Sequence, residues 1–383
     1  MNMINRMRTN KKGYSRKLVF GASVVGVLLG SCSQSLQSDV PIVAFDLSAA
    51  KPMKMSEFVQ SITLIPLETN DSSLVKDVKE FQLSENGFHF RSGNCYLSFD
   101  SDGKFLHSTQ SIQGFGPQQY RTAVSGQLLP GQGVEIFDPF PPKLKTYDDR
   151  LQLVSEHKLP EEILPASGCL YLSLDYRLFT GEELKLYAVS EKKIVDTYQC
   201  TAVPHFGYLS PEKFLRQDGR MYFSPPYENI LYECRMDSSA ILLIPVCQFD
   251  FGVRARFEKV DLPKDESDSY YRQYIQNNTH LAFVNQKYAD GDKRMCFFVY
   301  DNKSCFAYQD ASQGLNQVYY NVVGSKRQFL PAHLYQRQCF YYVCQPQYLD
   351  YVVDTSLMSR KEQDKRRGVQ EDDNPVVVCY HLK

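Results

Sequence analysis

Apolar positions along the chain come in short runs separated by polar turns, and one unit recurs. It is an apolar strand ending in an aromatic residue, a polar turn, then a second strand. It reads CYLSFDSDGKFLHS, KLKTYDDRLQLVS, ELKLYAVSEKKIVDTY, NILYECRMDSSAILLI and CFFVYDNKSCFAY, with aligned aromatics Phe99, Tyr147, Tyr187, Tyr232 and Tyr300. The first three intervals, 48, 40 and 45 residues, match a four-stranded propeller blade of about 40–50 residues. The later intervals, 68 and then 80 residues to Tyr380, leave room for inserts.

Further strand-like stretches precede the units, such as VKEFQL and GFHFRS before the first. Asn86-Gly87, Asp102-Gly103, Gly131-Gln132-Gly133 and Asp218-Gly219 mark tight turns, where glycine supplies a positive φ. A sixth strand, VVVCYHLK with Tyr380, ends the chain without a following partner. Residues 61–69, SITLIPLET, form an isolated strand pattern before the first repeat. Pairing the two closes a ring and removes its open edges. The expected fold is therefore all-β, a six-bladed β-propeller of four-stranded antiparallel blades closed by N- and C-terminal strands. An open β-sandwich or two smaller β-domains is the alternative. Residues 264–277 and 356–370 read as two short helical inserts, the second with a solvated, charged face.

The N-terminus adds an address. Arg6, Arg8, Lys11, Lys12, Arg16 and Lys17 precede an apolar run from Leu18 to Gly30, too short to span a bilayer as a helix. Leu29-Gly30-Ser31-Cys32 resembles the lipobox of bacterial lipoproteins, which implies lipidation of Cys32 after cleavage. The expected organisation is a signal peptide over 1–31, a lipidated cysteine and polar tether over 32–60, and the propeller over 61–383. Acyl chains hold such a domain at a membrane surface.

Without residues 1–31 the chain carries 37 basic against 44 acidic groups. That balance argues against a nucleic-acid partner, which needs a clustered basic face. Tyr and Phe total 50 and Trp is absent, so aromatic stacking on a ligand falls to Tyr or Phe. Ten cysteines follow Cys32 without a regular framework, several inside apolar strands, and read as mostly unpaired buried thiols. CxxC, HxH and HExxH are absent, so no metal site or cofactor is expected.

Three segments, ITLIPLET (62–69), DSDGKF (100–105) with GFGPQQY (114–120), and DNPVVVCYHLK (373–383), carry a family resemblance. The chain is similar to the six-bladed β-propeller lipoproteins of Gram-negative gut anaerobes, relatives in shape of NHL-type propellers. GFGPQQY resembles that family's G-x-G-P-x-E-Y segment, with Gln119 where the acid is usual. The resemblance implies an envelope propeller at the outer membrane, and brings no catalytic residues with it.

Gly114-Phe115-Gly116-Pro117 lacks the context of a phosphate loop and reads as a crossing between blades. Ser98–Gly103 reads as a hairpin turn, and His89 and His107 as packed strand residues. The inter-blade crossings place Tyr120, Arg121, His205, Tyr208, Arg254 and Arg256 as candidate ligand contacts around the channel mouth. The expected function is a cell-envelope lipoprotein that binds or scaffolds a glycan, peptide or partner protein. An envelope polysaccharide lyase or hydrolase with its site at the channel mouth is the alternative.

Overall fold

The computed structural model describes residues 40–383 except 85–86, 132, 165, 182, 200–212, 218, 226–227, 238–239, 256–272, 275, 323 and 325–326. The described residues open with three strands, β1 (Ile42–Ala44), β2 (Lys51–Pro52) and β3 (Val59–Pro66). Six antiparallel sheets then follow in order. Blade 1 holds β4 (Lys79–Leu83), β5 (Gly87–Ser92), β6 (Cys95–Asp100) and β7 (Phe105–Ser108). Blade 2 holds β8 (Ser125–Leu129), β9 (Gly133–Pro139), β10 (Pro142–Tyr147) and β11 (Leu153–Lys158). Blade 3 holds β12 (Gly168–Tyr171), β13 (Tyr176–Thr180), β14 (Glu183–Ala188) and β15 (Lys193–Gln199). Blade 4 holds β16 (Phe214–Gln217), β17 (Arg220–Phe223), β18 (Ile230–Asp237) and β19 (Ala240–Asp250). Blade 5 holds β20 (Phe283–Asp290), β21 (Lys293–Tyr300), β22 (Lys303–Asp310) and β23 (Leu315–Tyr320). Blade 6 takes β24 (Leu334–Gln336), β25 (Cys339–Cys344) and β26 (Val376–Leu382) from the end of the chain and β3 from its start.

The closure expected from sequence is present. β26 runs antiparallel to β3, with Val376 opposite Pro66, Val378 opposite Leu64 and Leu382 opposite Val59. Most of the repeating aromatics also fall where the unit puts them. Phe99, Tyr147, Tyr187, Tyr232 and Tyr380 all stand on third strands. Tyr300 instead ends the second strand of its blade, and the third strand carries two buried aromatics, Phe306 and Tyr308. The register slips there because both hairpins of blade 5 read as apolar strand, polar turn, apolar strand.

The segment expected to be tether is structured from Val40 onward. β1 pairs in parallel with β19 (Ala44 opposite Asp250) and β2 in parallel with β23 (Pro52 opposite Tyr320). Residues 40–66 thus run along the outer edges of blades 4, 5 and 6 in turn, giving blades 4 and 5 a fifth strand. Phe45 fixes the start of this belt, stacked near Phe249 and Phe251. An edge strand left open offers a template for aggregation, and the belt removes three of them.

Aromatic side chains fill the space between blades. At blades 5 and 6, Phe58, Phe297, Phe306, Phe329 and Phe340 form one cluster with ring centroids 4.8–6.0 Å apart. Each such burial stabilises the fold by roughly 1.5–3 kcal/mol. Of the expected helical inserts, Arg360–Gly368 is an α-helix, N-capped by Ser359. Of the other, 264–277, residues 264–272 and 275 lie outside the described residues, and 273–274 and 276–277 are helical. All nine described cysteines are free, and eight are buried.

Candidate functional site

A propeller's first strands converge on its axis, and here they enclose a cavity of about 1070 Å³. Its wall comes from β4, β8, β12, β16 and β24, and follows β4 and β8 into their first turns at Ser84, Pro130 and Gly131. Blade 5 does not contribute, because β16 and β24 pack against each other in front of β20. Lys287, on β20, is consequently sealed from solvent. It donates to the carbonyls of Pro225 (2.6 Å) and Glu228 (2.7 Å), and burial pulls its pKa down to about 7.

Glutamines zip neighbouring inner strands together. Gln82 donates its amide to the Gly126 carbonyl (3.1 Å) and to the Tyr96 hydroxyl oxygen (2.6 Å), and accepts from the Leu128 amide (3.1 Å). One blade on, Gln127 donates to Glu135 (2.8 Å) and accepts from the Tyr171 amide. Gly126 is required at this junction, since a Cβ there would lie 2.8 Å from the buried Tyr96 ring. Glu135 in turn holds Arg177 through two parallel bonds of 2.6 and 2.9 Å, both side chains buried. Paired guanidinium and carboxylate forks are the strong form of such a contact. Arg177 and Arg216 both lie over the Tyr171 ring, at 4.8 and 5.9 Å from its centroid.

Glu80 stands out on this wall. It sits at an irregularity of β4 with φ of 54°, a left-handed conformation unfavourable for a side chain of its size. Its Oε2 accepts from the Gly126 amide (3.0 Å) and Arg91 Nε (3.3 Å), while Oε1 is buried without a partner. Burial pushes its pKa up, against the pull of Arg91.

A row of hydrogen bonds crosses blade 1 at the edge of the cavity. Ser84 Oγ lies 3.1 Å from His89 Nε2, His89 Nδ1 lies 2.8 Å from Ser98 Oγ, and Ser98 Oγ lies 3.0 Å from His107 Nε2. Burial, and then the neighbouring His107, lower the pKa of His89 to about 4. Burial lowers His107 too, with Asp149 of blade 2 opposing the shift. Both histidines were legible only as packed strand residues. Their common partner follows from the nine-residue steps 89, 98 and 107, which place all three on one rung of β5, β6 and β7.

Of the side chains expected at the channel mouth, Tyr120, Arg121 and Arg254 can be placed. Tyr120 is fully buried between blades 1 and 2, its hydroxyl 2.8 Å from Thr109 Oγ1 and donating to the Asn94 carbonyl (3.0 Å). Arg121 is exposed and lies over Phe115 at 5.2 Å. Both sit by the β5–β6 turn, the end of the blade opposite the turns that line the cavity. Arg254 belongs to a separate concavity of about 990 Å³ beside the belt, with Asp46, Phe251 and His280. None of these three lines the central cavity. The inner strands form the channel wall here, and the crossings pack between blades. His205, Tyr208, Arg256 and Cys32 lie outside the described residues.

GFGPQQY is the crossing from β7 to β8, as expected. Gln119 Oε1 accepts the Gly116 amide at 2.9 Å, a bond that a glutamate oxygen makes equally well. A Cβ on Gly114 would stand 2.3 Å from that oxygen, and one on Gly116 3.0 Å. Lys145 and Tyr147 hold the carbonyls of Pro117, Gln118 and Gln119. The motif is therefore a braced turn, and the amide replaces the acid without loss of that contact. Among the described residues, no three His, Cys, Asp or Glu side chains gather as a metal site.

In comparisons with known proteins, one solved structure with this fold is the "Putative exported protein" of Bacteroides fragilis. It is 16% identical with a TM-score of 0.63, over 89% of this chain and 99% of that one. A member of the DUF4221 family from Bacteroides vulgatus is 10% identical with a TM-score of 0.49, over 85% and 97%. No curated protein matches the sequence. The model of the DUF4934 family, described as a domain of unknown function, matches residues 40–381, and the chain belongs to that family.

Proposed function

We propose that this propeller is an exported, lipid-anchored binding protein whose ligand sits in the central cavity. The observation that supports it most is the state of the cavity wall. Gln82 and Gln127 on the wall have spent their hydrogen bonds within and between blades, and the buried Glu135–Arg177 pair braces Gln127, so the ligand-sized space has a stiff polar frame. A frame fixed before binding lowers the ordering cost of association.

The enzyme reading has one observation in its favour, the Ser84–His89 pair beside the cavity. A base held near pKa 4 and oriented by a hydroxyl instead of a carboxylate draws a proton from serine weakly. Binding is therefore the better reading. A screen of the purified protein against polysaccharides, oligosaccharides and peptides, following both binding and product release, separates the two. Release of product that stops in Ser84→Ala would replace the binding reading with a hydrolytic one.

The fold it shares with a protein described as exported and the leader ending at Cys32 support the envelope location. Cys32→Ala is expected to abolish lipid labelling and membrane fractionation. Unchanged labelling in that variant would sink the anchor.

A further inference from the structure

The two faces of the ring carry different side chains. Each first strand leads from an inter-blade crossing towards the turns that line the cavity, so the crossings and the second-to-third strand turns share one face. The first-to-second and third-to-fourth strand turns share the other. Among the described residues, eight large apolar side chains are more than half exposed. Five of them, Leu74, Phe115, Phe140, Val253 and Tyr348, lie on the crossing face. Only Leu174 lies on the face with the cavity turns, and Ile42 and Val154 stand on outer strands.

Phe115 and Phe140 are the only exposed phenylalanines among the described residues, at 85% and 62%. Arg121 links them. Its guanidinium lies 5.2 Å from the centroid of the Phe115 ring, and its Nη1 donates to the Phe140 carbonyl at 3.5 Å. Large apolar side chains left in water, joined to a cation, mark a surface made to be covered.

The start of the belt indicates what covers it. β1 runs parallel with β19 towards the crossing face, with Ile42 opposite Gln248 and Ala44 opposite Asp250, the last residue of β19. At about 3.3 Å per residue, Val40 stands about 13 Å from the crossing-face end of that strand and about 20 Å from its other end. The eight steps from Cys32 to Val40 span at most about 28 Å. An anchor at Cys32 therefore reaches the crossing face by the shorter way.

We propose that the crossing face rests on the phospholipid bilayer that holds the anchor, with Phe115 and Phe140 in the headgroup layer and Arg121 on lipid phosphate. This rests on the lipidation of Cys32. Interfacial binding grows with buried apolar area and with attraction of basic groups to anionic lipid, and this patch supplies both. The exposed positions are spread over blades 1, 2 and 6 and the crossing from blade 4, which suits a flat sheet better than a small globular partner. Docked in this way, the cavity turns at Ser84, Pro130 and Gly131 face away from the membrane and stay open to a ligand.

Trp is absent from the sequence, so one introduced indole reports one position. The test places the full lipidated protein, as Phe115→Trp, Phe140→Trp, Tyr348→Trp or Leu174→Trp, on vesicles of equal parts phosphatidylethanolamine and phosphatidylglycerol. The acyl chains are either plain or brominated close to the headgroup. Bromolipid is expected to quench the first three variants at least twofold and to leave Leu174→Trp unchanged. Adding Phe115→Glu and Phe140→Glu to Tyr348→Trp should cut its quenching at least twofold, because the face lifts as a unit. Equal quenching of Phe115→Trp and Leu174→Trp, or none in any variant, overturns the docking. If the protein meanwhile stays on the vesicles with lipid label at Cys32, the anchor stands without it. Emission of Phe115→Trp that shifts to the blue without quenching assigns this face to a second copy of the chain, which also overturns the docking. Protein that takes no label at Cys32 and leaves the vesicles removes the anchor, and the docking with it.

Discussion

Glu362 accepts the amide hydrogen of Leu64 at 2.5 Å, although the two residues lie 298 positions apart. One turn further along the same helix, Lys365 donates to the Leu64 carbonyl at 2.8 Å. Two side chains of a helix thus do for Leu64 what a neighbouring strand would do. They seal the outer edge of β3, the strand that closes the ring. The charged face of Arg360–Gly368 looked solvated in sequence, and Arg360, Lys361 and Asp364 do conform to that. Glu362 does not; it is buried.

Glu362→Ala leaves the Leu64 amide buried without an acceptor, at a cost of roughly 1–3 kcal/mol. Glu362→Gln keeps an acceptor oxygen and should lose less. Urea unfolding of both variants measures the difference, and equal stabilities would show that the contact is dispensable.

Removing residues 376–383 strips β3 and β25 of their common partner. The expected product aggregates and lacks a cooperative unfolding transition. A soluble truncated protein with an unchanged melting temperature is incompatible with closure by this strand.

Gln119→Glu should change stability by no more than about 0.5 kcal/mol, because either side chain offers an oxygen to the Gly116 amide. Gln119→Leu should lose about 1 kcal/mol, the usual worth of such a bond. Denaturant midpoints for the pair decide whether the acid common at this position has any role beyond the turn.

His89 ties stability to pH. Its pKa is about 4 in the folded protein against 6.5 for a free histidine, so between those values the unfolded chain binds more protons. Stability from this group is complete above about pH 6.5 and is lost as pH falls towards 4, by on the order of 3 kcal/mol. His107, lowered in the same direction, adds to the slope. His89→Gln should flatten the stability profile over this window, and a profile parallel to that of the unmutated protein would remove His89 as its source.

The architecture was readable because blade strands obey short-range rules. Alternating apolar positions, Gly turns and the aromatic spacing repeat locally, and Phe99, Tyr147 and Tyr187 mark successive third strands. The belt was not readable, since β1 and β2 are three and two residues long and gain their structure from β19 and β23. The residues that line the cavity were not readable for a similar reason. Tyr120 and Arg254 look like loop residues, but long-range packing decides that one fills a blade junction and the other joins a separate concavity. Glu80 gave no local signal at all; its character comes from Gly126 and Arg91, 46 and 11 residues away.

The clasp between β3 and β26 also orders events in time. On a ribosome β3 emerges well before β26, its partner strand, so the ring stays open until β26 has been made. Blades 1 to 5 each complete their four antiparallel strands from contiguous chain. The belt can dock on β19 and β23 once blades 4 and 5 exist, and it then holds β3 beside the gap that β26 will fill. Loop closure between Pro66 and Val376, 376 − 66 = 310 positions apart, is thereby divided into shorter searches.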